Sequence, residues 1–160
     1  MSPLEHPHSK YMHEALTIAD LSMQKGGGPF GAVIVKENEI IASGSNLVVP
    51  ENDPVAHAEI VAIRKACRQQ NHFELKDCIL YSSCEPCPMC LGAVYWARMA
   101  SVFFSASREN AAKSGFDDHF IYREFAQNPE DRKIPMHTFM TEEGSRIFEK
   151  WDNLSNKSMY

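Results

Sequence analysis

The run CILYSSCEPCPMCLGAVYWARM, residues 78–99, changes character at its centre. CILYSS is short, apolar and partly aromatic, the pattern of a buried strand. PMCLGAVYWARM opens with Pro88 and reads as a helix, because proline fits the first helical turn. Three cysteines, Cys84, Cys87 and Cys90, sit where the strand hands over to the helix, each separated from the next by two residues. A strand that feeds a helix through a cysteine-bearing turn sets the rest of the reading.

Working outward, Met12, Leu16, Ala19 and Met23 recur at helical steps over roughly residues 9–25, and GGGP at 26–29 ends that helix. FGAVIV and EIIASG read as two strands of a hairpin around Lys36 to Asn38. After the loop VVPENDP, VAHAEIVAIRKACRQQ reads as a helix with Asp53 as N-cap and with Pro54 and His57 in its first turn. SVFFSAS is a further strand, the stretch around KSGFDDHF is irregular, IPMHTFM is a last strand, and EEGSRIFEKWDNL is an amphipathic tail helix. Strands alternating with helices predict an α/β domain with helices layered on a sheet.

A chain of 160 residues is one domain by length. With 21 acidic against 16 basic residues its net charge is −5, which argues against a nucleic-acid backbone as partner. No apolar run is long enough for a bilayer, so no membrane association is expected. The polar, His-rich start MSPLEHPHSKYMHE lacks the apolar core of a secretion signal, so a cytoplasmic location is expected. In that reducing setting, five cysteines do not predict disulfides. A ferredoxin-like cluster needs a fourth cysteine soon after Cys90, and LGAVYWARM contains none. Cys67 and Cys78 read as small buried hydrophobes.

The remaining answer depends on HAE at 57–59. Side chains from the first turns of two helices can meet beyond both helix ends. His57, Cys87 and Cys90 then supply one nitrogen and two sulfurs, a set suited to Zn²⁺, and both helix N-termini favour thiolates. Three protein ligands leave a fourth position for water, the mark of a catalytic site. Glu59 is the carboxylate beside that water. Cys84 lies one step too early and reads as a neighbour.

His-Ala-Glu followed by Pro-Cys-Pro-Met-Cys resembles the H-x-E…P-C-x-x-C signature of zinc-dependent nucleobase deaminases. GGPFGAVIVK, NDPVAHAEIVAIRKAC, CILYSSCEPCPMCLGAVYWAR and GFDDHFIYREF together resemble small bacterial-type guanine deaminases of the cytidine deaminase superfamily, over nearly the whole chain. That resemblance implies a three-layer α/β/α sandwich around a central five-stranded mixed sheet, with one zinc per subunit. It implies hydrolysis of guanine to xanthine and ammonia, by a zinc-bound hydroxide with Glu59 as proton shuttle. Asn46, Phe30 and Ala58 would contact the purine base. Asp118 would grip the guanine amidine edge and assist proton transfer. The segment of about 142–160 would exchange between the subunits of a homodimer, with Tyr160 closing a site, although the composition of this tail departs from the family. Trp96 and Trp151 are expected in the core or at the dimer contact. A tRNA adenosine deaminase shares the metal blocks but calls for a basic C-terminal region, whereas residues 106–160 are slightly acidic. Guanosine, cytosine and ammeline remain alternative substrates, and a zinc-binding interaction module would need neither Glu59, Asn46 nor Asp118.

Overall fold

Strands β1 (Gly31–Lys36), β2 (Glu39–Ser45), β3 (Cys78–Cys84) and β4 (Ser101–Ala106) form a mixed sheet in the order β2-β1-β3-β4. β1 pairs antiparallel with both β2 and β3, while β3 and β4 run parallel. The computed structural model describes residues 6–159, in two compact units, Met1–Asp118 and His119–Tyr160.

In the first unit, helix α1 (Ser9–Gln24) covers one sheet face, where Tyr11 and Ala15 pack with Val33, Val35 and Tyr81. The opposite face is covered by α3 (Ala58–Gln70) and α4 (Pro88–Trp96). There Ala58, Ala62 and Val94 pack with Ala32, Ile34, Cys78 and Leu80. The alternation of β3 explains the division: Ile79 and Tyr81 face α1, while Cys78 and Leu80 face the other helices. Burying a side chain of Leu or Ile size contributes about 1.5–3 kcal/mol, so each layer holds the sheet firmly.

Two strand glycines set how closely the helices approach. A Cβ on Gly31 would strike the Ala15 carbonyl of α1, and one on Gly44 would strike the Ala58 carbonyl of α3. Both obstacles are backbone, which cannot swing aside as a side chain can.

The layered α/β fold is as expected, with four strands among the described residues instead of five. IPMHTFM is irregular, not a strand: Pro135 lacks an amide hydrogen, and Ile134 and Phe139 are largely exposed with no ladder partner. The helix expected from Asp53 begins four residues past Pro54, at Ala58. Asp53 instead accepts the Val55 amide at 2.9 Å through its side chain, and the Ala56 amide through its carbonyl, forming a turn before the helix. His57 is therefore the N-cap and not a first-turn residue. Part of the VVPENDP loop forms the short helix α2 (Val48–Glu51). Helix α5 (Arg108–Lys113) starts at a Ser107/Asn110 capping box, ahead of the irregular GFDD. Trp96 is 67% exposed, so it is not a core residue.

The second unit contains α6 (His119–Phe125), a 3-10 turn at Pro129–Asp131 and α7 (Thr141–Asp152). It is held by polar contacts: the Lys133 amide donates to the Glu124 carboxylate at 2.6 Å, and the Met136 amide to the Pro129 carbonyl at 3.0 Å. Ile147 and Phe148 of α7 remain exposed.

Candidate active site

Two helix starts converge here. His57 at the N-cap of α3 and Cys87 at the N-cap of α4 are both extended, with φ −67°, ψ 154° and φ −64°, ψ 169°. N-cap side chains ordinarily accept a hydrogen bond from their own helix. Neither does so here, which leaves both side chains available to each other. Cys90, one turn into α4, is fully buried.

His57 Nδ1 lies 3.6 Å from Cys87 Sγ and 3.6 Å from Cys90 Sγ. Zinc bonds of about 2.0–2.1 Å to nitrogen and about 2.3 Å to sulfur, at tetrahedral angles, require a nitrogen–sulfur separation of about 3.6 Å. The donors therefore fit zinc in identity and in spacing. Among the described residues they are the one group of three or more His, Cys, Asp or Glu side chains whose ligating atoms lie within 4.8 Å of one another.

The electrostatics suit a cation. The hydrogen bond from Cys90 holds the Cys87 thiol down to about 4, and His57 beside it acts in the same direction. The contact with Cys87, with burial, pushes Cys90 up, so the pair shares one ready thiolate. The Cys87 hydrogen bond raises the proton affinity of His57.

Glu59 sits in the first turn of α3, 5% exposed. Its Oε2 lies 3.5 Å from Cys90 Sγ, while its Oε1 accepts a 3.2 Å hydrogen bond from the Ser82 hydroxyl. Burial raises its pKa above the ordinary carboxylate value. A carboxyl that favours its proton, in direct contact with Cys90 of the ligand set, can take up and return protons there.

Asn46 is buried beyond the end of β2. Its Oδ1 accepts the backbone amides of Gly28 and Val48, each at 3.3 Å, so that oxygen is already occupied by backbone. The donors of its NH₂ group are the half of the amide suited to a base. Phe30 adjoins it, the Asn46 backbone N–H donating to the Phe30 carbonyl at 3.1 Å. The Phe30 ring meets Phe116 edge-on, centroids 5.0 Å apart. Ala58, fully buried, begins α3 between His57 and Glu59. Asp118 is half-buried, and its charge is felt at Cys84. Tyr160 lies outside the described residues.

Cys84 stands apart from the ligand set. Its thiol points to the Ser107 carbonyl at 3.7 Å, and burial, aided by the Glu59 charge, pushes it up to about 11. Ser82 and Phe116 escape a reading of sequence alone. Ser82 leaves one signal, a hydroxyl on the strand face that otherwise carries Cys78, Leu80 and Cys84. Phe116 leaves none beyond its place in GFDD.

Residues 5–106 match the cytidine and deoxycytidylate deaminase zinc-binding region. The chain is 51% identical to the guanine deaminase of Bacillus subtilis over 154 residues, covering 96% of this chain and 99% of that protein. The X-ray structure of guanine deaminase from that organism superposes with a TM-score of 0.93, covering 96% of this chain and 98% of that one. A tRNA-specific adenosine deaminase of Aquifex aeolicus is 46% identical over 96 residues, which is 60% of this chain and 64% of that protein.

Proposed function

Because the chain belongs to the cytidine and deoxycytidylate deaminase zinc-binding family, we infer that it is a zinc-dependent guanine deaminase, hydrolysing guanine to xanthine and ammonia. The observation that carries the substrate is the 51% identity with a guanine deaminase across almost all of both chains. The match to the tRNA deaminase covers only 60% of this chain, and the acidic residues of 106–160 outnumber the basic ones. Neither fact favours an RNA substrate.

His57, through Nδ1, and the Sγ atoms of Cys87 and Cys90 would hold the metal. When bound, zinc supplies water activation, lowering the pKa of a coordinated water to about 7. The remaining work falls to the chain. Glu59 accepts a proton from the attacking water at Oε2 and passes it to a ring nitrogen; it then takes the remaining proton of that same oxygen and delivers it to the departing amino group. The water oxygen bonds to the carbon bearing that group, the carbon–nitrogen bond breaks, and ammonia leaves. The burial that raises the proton affinity of Glu59 helps the carboxyl hold the proton between transfers. Asn46 donates from its NH₂ group to an acceptor of the base. Phe30 packs against the ring with Ala58 beneath it, and Asp118 accepts from the N–H donors of the amidine edge.

We read the whole chain as one deaminase domain working as a homodimer in the cytoplasm, with the segment of about 142–160 exchanged between subunits. The exposed Ile147 and Phe148 of α7 support a partner for this segment. Removing the last few residues, through Tyr160, is expected to lower kcat/KM about 10-fold or more while zinc content stays at the level of the full chain. Equal activity would make Tyr160 an ordinary chain end.

The substrate is tested by ammonia release from guanine, guanosine, adenine, cytosine and ammeline with the purified zinc-loaded protein. Guanine is expected to be turned over best; release from another member alone would replace the substrate and keep the chemistry.

A further inference from the structure

β3 presents Cys78, Leu80, Ser82 and Cys84 to the face covered by α3 and α4. Ser82 carries the one hydroxyl in that row and is 2% exposed. A hydroxyl so deep needs a partner, since burying it unpaired costs about 1–3 kcal/mol. Its partner is Glu59, 23 residues earlier on another element, with Oγ donating to Oε1 at 3.2 Å. Across the sheet Ser82 pairs with Ala32 and Phe104, and the small Ala32 adds no bulk beside it.

The two oxygens of Glu59 are thereby made unequal. Oε1 is anchored to the sheet, and Oε2 is turned toward Cys90 and the ligand set. A carboxylate on a flexible two-carbon stem has several rotamers, and only those with one oxygen at the reacting centre can move protons there. We propose that Ser82 is a positioning residue for the deamination, fixing the rotamer of Glu59 so that Oε2 alone serves as the proton carrier. This rests on the proton-shuttling role assigned to Glu59 above. It adds that the sheet, and not only α3, helps set the precision of that role.

Ser82→Ala is expected to lower kcat about 10- to 100-fold, the scale of a misplacement of about 1 Å, with KM for guanine within about twofold and zinc content unchanged. Ser82→Thr and Ser82→Val share one shape and differ in the hydroxyl, so Thr should retain most of kcat and Val should behave as Ala. This pair decides the matter even if the alanine variant folds poorly. In a Glu59→Gln background, adding Ser82→Ala should cause no further fall, because the group being positioned is gone. Wild-type kcat in Ser82→Ala, equal kcat for the Thr and Val variants, or the same fold-loss in both backgrounds would each overturn the assignment. A lowered Tm with unchanged kcat would mark simple packing and overturn it too. Whichever base the protein turns over serves for these comparisons, so failure of guanine as substrate is scored separately from failure of Ser82.

Discussion

Glu59→Gln, purified with zinc, is expected to keep its metal and lose about 10²- to 10⁴-fold in kcat on guanine, the usual contribution of a positioned acid–base group. The amide has nearly the same shape, so Ser82 can still donate to its oxygen and α3 keeps its first turn. What disappears is the ability to take a proton at Oε2. A loss of 10³-fold corresponds to about 4 kcal/mol of barrier. Burial makes the substitution gentle on stability, since a neutral amide is less costly to bury than a carboxylate. A zinc-loaded variant with near-normal turnover would remove Glu59 from the mechanism.

The second large effect separates the three cysteines. Cys90→Ala removes a fully buried ligand, and the protein is expected to lose nearly all its zinc and all measurable turnover. Because metal bound only to the folded state adds to stability, saturating zinc at about 1,000 times its Kd contributes about 4 kcal/mol. Losing that lowers Tm by on the order of 10 °C for a chain of this size. Treating the wild type with a strong chelator should produce a shift of the same sign. Cys84→Ala, by contrast, should retain zinc, since that thiol faces the Ser107 carbonyl and stays protonated. Metal analysis of the two variants side by side decides the point; zinc lost from the Cys84 variant would contradict the ligand set.

These contrasts were legible because the ligands sit in local motifs. Pro88 places the start of α4, and the two-residue gap between Cys87 and Cys90 puts one at the N-cap and the other a turn later. The start of α3 was harder to read. Asp53 and Pro54 look like a helix opening, yet the Asp53 carboxylate is used by Val55 in a turn, and that choice belongs to the loop geometry. The Ser107/Asn110 cap of α5 uses asparagine where Glu or Gln is the usual signal. The absence of a strand at IPMHTFM has a different cause: strand pairing is non-local, so a β-like composition does not state where its partner edge lies. The Ser82–Glu59 bond is also non-local, joining residues that only the packing of α3 on β3 brings together.

Gly44 carries a consequence for anyone engineering this chain. Replacing glycine by alanine is a common stabilising step, because it narrows the choices of the unfolded chain by about 0.4–1 kcal/mol. At Gly44 that route is closed, since the new methyl would push on the backbone of Ala58, between His57 and Glu59. Heat tolerance sought there would be exchanged for a displaced first turn of α3, where Glu59 sits, so thermostable variants are better sought by substitutions away from the seam between β2 and α3.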